Sequence, residues 1–255
     1  MSRIEIANVG RTFGAAGGES FVALRGVDLT IEPGEFVLLL GPSGCGKSTL
    51  LRLIAGLDEP TSGDVRIGAR KGAAGFDRIG MMFQQPTLLP WLSVIDNVLY
   101  PARVKSRATA NQKRGKALEL LDMVGLTRVS QQLPASLSGG MQQRVAICRS
   151  LILDPEVLLM DEPFSALDAM TREDLQFELI RIQTETGKTI VFVTHSIAEA
   201  LLLSSTIVVM AAGPGRVAEA IRTELPYPRS LDTLHGPRAK ELDTRIRGLI
   251  HARNH

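Results

Sequence analysis

The feature that most constrains this chain is a run of nine residues, Gly41-Pro42-Ser43-Gly44-Cys45-Gly46-Lys47-Ser48-Thr49. It fits the pattern G-x-x-x-x-G-K-[ST]. An apolar run, Phe36-Val37-Leu38-Leu39-Leu40, stands immediately before it, and a helical pattern from Ser48 to Ile54 opens within it. Strand, glycine-rich turn and helix in that order build a cradle for phosphate. Glycine lets the backbone curl so that successive N–H groups point inward. The helix N-terminus adds its partial positive charge. Lys47 can reach the β- and γ-phosphates of a nucleotide, and the Ser48 hydroxyl can take a Mg²⁺ coordination position. Cys45 lies beside Lys47 and a helix start, both of which favour the thiolate. Two roles are open for it: a small residue that fits the loop, or a thiol whose alkylation blocks nucleotide binding.

Further apolar runs recur at Val157–Met160, Thr189–Val193 and Ile207–Met210, with β-rich runs at Ile4–Ile6 and Val27–Ile31. The longer runs do not alternate and are bounded by turn residues, so they read as strands buried on both faces. Helical patterns lie between them, at Asn111–Val124 and Thr171–Glu185. That alternation implies an α/β domain with a parallel, helix-covered sheet. Residues 85–154 lack strong strand candidates and read as a helical insertion. Hydrophobic residues make up 44% of the 255, enough to bury a core without disulfides. The two cysteines, Cys45 and Cys148, suit a reducing cytosol.

Several function classes are excluded. A net charge of +2 and an aromatic content of 4% leave no electrostatic footprint or stacking platform for nucleic acid. The start, Met1-Ser2-Arg3-Ile4-Glu5, meets a charge before any signal-like apolar run. No window approaches the roughly 18 apolar residues a membrane span needs. The expectation is a cytoplasmic protein that does not itself cross a membrane. From Gly213 onward, Pro214, Pro226, Pro228 and Pro237 interrupt regular structure. This stretch carries eight basic residues, Arg253 among them, and five acidic ones. It reads as a solvated appendage packed loosely on the core, with a regulatory or partner-binding role as the alternative.

Leu158-Leu159-Met160-Asp161-Glu162-Pro163 is an apolar strand ending in two carboxylates. In open α/β sheets such strand ends face the ligand crevice. Asp161 is the natural partner for Mg²⁺, and Glu162 can polarise the water that attacks the γ-phosphate. His195 follows another strand and can hydrogen-bond the γ-phosphate and that water, or serve only a structural role. His235, His251 and His255 lie in the tail and suggest no metal site.

Leu137-Ser138-Gly139-Gly140-Met141-Gln142-Gln143-Arg144 is a second anion site in physical terms. Ser138 can cap the helix that follows, and the glycines expose backbone N–H groups. This run closely resembles the signature of ABC ATPases. Gln84 (Q-loop), Ser165-Ala166-Leu167-Asp168 (D-loop) and His195 (H-loop) fall in register with it. The resemblance covers residues 1–225.

It implies a P-loop NTPase (RecA-like) core with an N-terminal antiparallel β subdomain and an inserted α-helical subdomain. The ATPase core would comprise 1–84 and 155–225, the helical signature subdomain 85–154, and the C-terminal tail 226–255. It implies ATP and Mg²⁺ as cofactors. Two chains would pair head to tail as a homodimer. Each ATP would lie between Gly41–Thr49 of one chain and Ser138, Gly139, Gly140 and Asp168 of the other. Glu162 becomes the catalytic base, His195 the γ-phosphate sensor, and Gln84 a metal ligand and the link to a transmembrane partner. Phe13 resembles the aromatic that stacks on adenine, with Phe21 as its rival.

Finer features resemble the nitrate, sulfonate, taurine and bicarbonate importer branch: Met82 to Trp91 with its Leu-Leu-Pro-Trp ending, Met141, Pro214-Gly215-Arg216 and Leu225 to Arg229. This implies transmembrane permease subunits and, through them, a solute-binding protein as partners. The chain would sit on the inner face of the membrane, in contact only through the permease. Trp91 reads either as a core anchor or as part of the permease-facing surface. Ser196, Cys148 and Ser204-Ser205-Thr206 depart from the family pattern without removing a catalytic group. The alternatives are an exporter subunit, or a soluble ABC ATPase of DNA repair or translation. Those soluble relatives usually carry coiled-coil insertions or duplicated domains, which this chain lacks.

Overall fold

The computed structural model describes residues 2–14, 20–68, 70–71 (backbone only), 78–165 and 167–251. Met1, Ala166, Arg253 and His255 therefore lie outside the described residues. The N-terminal third lays down β1 (Ile4–Phe13), β2 (Phe21–Ile31), β3 (Phe36–Leu40), α1 (Lys47–Ile54), β4 (Ser62–Ile67), β5 (Arg70–Lys71) and β6 (Ile79–Met82). Helices follow: α2 (Val94–Lys105), α3 (Arg107–Gln112), α4 (Arg114–Met123) and α5 (Gly139–Leu151). The chain then alternates through β7 (Val157–Asp161), α6 (Ala169–Thr186), β8 (Thr189–Thr194), α7 (Ile197–Leu203), β9 (Thr206–Ala211) and β10 (Arg216–Arg222). It closes with α8 (Pro237–His251).

Two sheets result. One has the order β2-β1-β4-β5 and is antiparallel. The other runs β10-β9-β3-β8-β7-β6, parallel except for β10 at its edge. The non-alternating strands are explained by the pleat. Phe36, Leu38 and Leu40 of β3 join one core, with Ile190 and Phe192 of β8 and side chains of the helices. Val37 and Leu39 point the other way, into a second core with α1 and the antiparallel sheet. Both faces are dry, so the sequence has no polar positions to alternate. β1 is longer than its apolar start suggests, because beyond Ile6 its register with β2 shifts three times. A bulged strand loses the strict two-residue pattern.

The stretch expected as one helix over Asn111–Val124 is two. Ser106 caps α3, accepting from the Thr109 N–H at 3.0 Å, so helix begins earlier. Lys113, at φ −86° and ψ −1°, is the break between α3 and α4.

The tail differs most from expectation. β10 completes the parallel sheet by pairing with β9. On α8, Ala239, Leu242 and Ile246 are fully buried, the last two within the larger core. Arg229, only 5% exposed, donates to the Leu201 and Ser204 carbonyls at the end of α7 (2.7 and 2.6 Å) and to Thr223 Oγ1 (2.6 Å). A cation over terminal carbonyls also satisfies the helix dipole. The prolines mark turns between packed elements rather than a loose appendage.

Candidate functional site

The glycine-rich turn bridges β3 and α1 at the C-terminal edge of the parallel sheet, the side on which such sheets bind ligands. Gly41 has no room for a side chain: a Cβ there would lie 2.5 Å from the Met210 carbonyl oxygen and 2.9 Å from Cys45 Sγ. Gly46 enters α1 at φ +91°, where a Cβ would meet Leu24 at 2.5 Å. Lys47 is buried, its ammonium donating to the carbonyls of Gly41 (2.8 Å) and Pro42 (2.9 Å). These bonds fold the lysine back over the loop, so its charge is aimed at the cradle's interior.

Of the two roles open for Cys45, its packing agrees with that of a small residue fitted into the loop. It is fully buried, and burial pushes its thiol up despite the opposing influence of Lys47. The thiolate that Lys47 and the helix start favour is not the resting form, because desolvation of a charge outweighs them.

β7 delivers the two carboxylates. Ser48 Oγ donates to Asp161 Oδ1 at 2.8 Å, joining residues 113 apart in sequence. Burial pushes the Asp161 carboxyl up; the Glu162 charge pushes the same way, while the Ser48 bond and Lys47 oppose it. Glu162 has φ +42°, a left-handed conformation that side chains rarely adopt. Its amide is pinned to the Val193 carbonyl at 3.1 Å. Its Oε2 lies 3.4 Å from His195 Nδ1. Such strain, held by surrounding bonds, is concentrated at functional sites. Gln84 Nε2 donates to Ser165 Oγ (3.2 Å), which donates to the Glu162 carbonyl (3.0 Å). The Q-loop side chain therefore reaches the turn that carries Glu162.

A cleft of about 310 Å³ runs along the cradle, lined by Ser43, Gly44, Gly46, Lys47, Ser48, Thr49, Glu162, Ala23 and both Phe13 and Phe21. The two aromatics pair across β1 and β2. Phe13 is 39% exposed and Phe21 63%, and the Arg11 guanidinium sits 4.6 Å from the Phe13 ring centroid. Pro42 borders the same turn and shares the Lys47 ammonium. Both candidates thus present a ring to one cavity, and stacking on a base suits either.

Ser138, Gly139, Gly140 and Asp168 do not line that cleft. Ser138 caps α5 as expected, accepting from the Met141 N–H at 3.3 Å, and it and Gly139 face solvent. Asp168 caps α6, and the Thr171 N–H it accepts at 3.0 Å holds its carboxyl below the usual range. The residues expected to form the two halves of the anion site therefore stand apart within one chain.

The cradle's oxygen donors suit Mg²⁺. Ser48 and Asp161 supply hard ligands, and among the described residues no cluster of three His, Cys, Asp or Glu could hold a metal alone. Mg²⁺ usually takes one or two protein ligands and completes its shell with phosphate and water.

Two shaping residues escaped the sequence reading. Glu199, buried on α7, accepts from Thr194 Oγ1 at 2.5 Å, and that hydroxyl accepts from the Ser196 N–H, ordering the turn that presents His195. Gln143, buried on α5, donates to two backbone carbonyls of the site. The available signal was a polar residue on an otherwise apolar helix face. Trp91 is 71% exposed, so the core-anchor reading falls.

The architecture is that of a nucleotide-binding P-loop ATPase with a helical insertion. A family profile described as ABC transporter matches residues 24–165. The chain is 45% identical over 227 residues to the taurine import ATP-binding protein of Ruegeria pomeroyi, covering 89% of this chain and 84% of that one. It is 46% identical over 230 residues to an aliphatic sulfonates import ATP-binding protein of Xanthomonas axonopodis pv. citri, covering 89% and 88%. A bicarbonate transport ATP-binding protein of Synechococcus elongatus is 43% identical over 247 residues; this chain spans 37% of its length. Among solved structures, a dimeric ATP-binding cassette in a post-hydrolysis state with ADP and Pi superposes with a TM-score of 0.77 at 38% identity, covering 86% of this chain and 98% of that one. The chain belongs to the ABC transporter family. Among its described residues no helix is long and apolar enough to cross a membrane.

Proposed function

We propose that this chain is the ATP-hydrolysing subunit of an importer, coupling ATP binding and hydrolysis to uptake of a small anion such as a sulfonate, taurine or nitrate. One observation carries the reading: Ser48 bonded to Asp161 at the mouth of the phosphate cradle, with Glu162 and His195 beside them. The Gly41–Thr49 backbone binds the phosphates and Lys47 neutralises the β- and γ-oxygens. Ser48 and Asp161, with Gln84, hold Mg²⁺, which when bound supplies charge stabilisation to the phosphoryl group. Glu162 accepts the proton of the attacking water. His195 donates to the γ-phosphate and, through its contact with Glu162, orients the carboxylate. Phe13 or Phe21 stacks on the base.

The separation of Ser138, Gly139, Gly140 and Asp168 from the cradle, and the dimeric state of the solved relative, support a head-to-tail homodimer that completes two sites. ATP favours the closed dimer and hydrolysis releases it, a two-state element biased by ligand. Trp91 belongs to the surface that meets a permease on the inner face of the membrane, with a solute-binding protein beyond it. The importer assignment rests on the taurine and sulfonate relatives. Uptake of sulfonates, taurine, nitrate and bicarbonate by cells lacking this subunit is the test. Restoration of one solute by wild type and not by Lys47→Ala is expected; uptake unaffected by the deletion across the panel refutes the importer reading.

A further inference from the structure

Gln143 lies five residues into α5 from the Ser138 cap, fully buried where α5 passes beneath the Q-loop and the turn after β7. Its single side-chain nitrogen donates to two carbonyls, that of Gln84 at 3.1 Å and that of Pro163 at 2.8 Å. An amide nitrogen carries two hydrogens, so both are used. Its two acceptors belong to residue 84 itself and to the residue directly after Glu162. Arg149, further along the same helix, grips the Q-loop alone, donating to the Pro86 carbonyl at 2.7 Å and the Thr87 carbonyl at 2.9 Å. Among the described residues no other side chain donates to the Pro163 carbonyl.

We infer that Gln143 is a positioning residue for hydrolysis, locking the Q-loop backbone to the Glu162 turn and both to the signature helix. The inference rests on the ATPase reading above and gives Gln143, which lies within the signature run, a role distinct from that run's anion-binding one. The geometry makes the need concrete. Glu162 sits at a strained φ, so its carboxylate direction depends on the bonds around it. Its amide is fixed by Val193 and its carbonyl by Ser165. Among the described residues, Gln143 is the one side chain that donates to the next carbonyl, that of Pro163. Ser165 is in turn bonded to the Gln84 side chain, so residue 84 meets this turn twice, once through Ser165 and once through Gln143. A shift of α5 therefore moves residue 84 and the carboxylate turn together, which would let the signature end of the helix and the hydrolytic centre report on each other.

Replacing the amide with an apolar group of similar size keeps the packing and removes both bonds. Gln143→Met leaves the cradle of Gly41–Thr49 untouched, so ATP binding should persist while the carboxylate loses its aim. Misplacement of a reacting group by about 1 Å costs up to about 100-fold; a tenfold or greater fall in kcat, with KM for ATP within about threefold, is expected. Gln143→Asn, polar but a methylene too short to reach both carbonyls, should give the same split. Combined with Gln84→Ala, the Gln143→Met loss should be less than the product of the two single losses, because the two act on the same turn.

The experiment is steady-state ATPase of the full chain, wild type beside the variants, with thermal melts to establish folding. A folded variant with wild-type kcat overturns the inference. So does a raised KM at unchanged kcat, or multiplicative losses in the double variant. If Gln143→Met does not fold, Gln143→Asn decides; if neither folds, Gln143 serves core packing alone and the inference fails. A wild-type chain that binds ATP without hydrolysing it refutes the ATPase reading itself, a result distinguishable from all of these.

Discussion

Replacing Glu162 by glutamine isolates the chemical step. The carboxamide matches the carboxylate in size, and glutamine tolerates the φ of +42° no worse than glutamate, so the backbone bonds to Val193 and Ser165 should hold. In the proposed mechanism, what disappears is the acceptor for the proton of the attacking water. A positioned general base is worth about 10²–10⁴ in rate, or about 2.7–5.4 kcal/mol of barrier at 1.36 kcal/mol per tenfold. Binding should move the other way. Asp161 is pushed up by burial first and also by the Glu162 charge. Removing that charge lets Asp161 ionise more readily and lessens repulsion of the polyphosphate, so affinity for MgATP should stay or rise. The assay pairs steady-state ATPase with size-exclusion chromatography in MgATP. Glu162→Gln should turn over at most a hundredth as fast as wild type and accumulate as a dimer. Turnover within threefold of wild type, or a raised KM with kcat preserved, would remove Glu162 from the role of base.

Arg229→Met removes three buried hydrogen bonds from a cation, each worth about 1–3 kcal/mol; the Ser204 carbonyl keeps the Thr223 hydroxyl as a donor, and relief of a cation whose pKa burial lowers to about 10 offsets part of the loss. A net loss of about 2–4 kcal/mol, or about 5–15 °C in Tm, is expected by calorimetry; a Tm within 2 °C of wild type would return the tail to a loose appendage. Cys45 and Cys148 should react with maleimides far more slowly than a free thiol, Cys45 more slowly still with ATP bound, and rapid labelling of the native chain contradicts the burial found here. Lys188 holds the Asp154 carboxyl below its usual range. A depressed folded pKa stabilises above the unfolded value near 4 and is lost as pH falls through the folded value. Because Asp154 is largely exposed, the gap between wild type and Lys188→Met in urea denaturation should be under about 1 kcal/mol at pH 7 and narrow below pH 4; a gap that widens in acid refutes the pairing. Trp91→Ala should change stability by less than about 0.5 kcal/mol while weakening co-purification with the permease, and the reverse pattern would place the indole in the core after all.

The phosphate cradle was legible in the sequence because its chemistry is local. Gly41 and Gly46 sit where side chains cannot, Lys47 and Ser48 follow at fixed steps, and the flanking strand and helix lie within a few residues. The central strands were equally legible: Phe36–Leu40 and Thr189–Val193 are apolar throughout because both faces of the sheet are covered. β6 and β10 were not read as strands, since short edge elements with glycine or charged residues carry no buried run to mark them.

What only the tertiary structure decided is the outcome of competition between distant groups. Cys45 has a cation and a helix start beside it in sequence, yet burial by residues far along the chain governs its thiol. The prolines after Gly213 suggested loose chain, but the carbonyls that Arg229 satisfies lie on α7, and the apolar face of α8 packs against a core assembled from distant segments. Gln143 and Glu199 act through bonds to partners that the sequence places up to 59 residues away or on other elements. A motif records which groups the chemistry needs; desolvation and long-range hydrogen bonding, which depend on what the fold brings alongside, determine the state in which those groups are held.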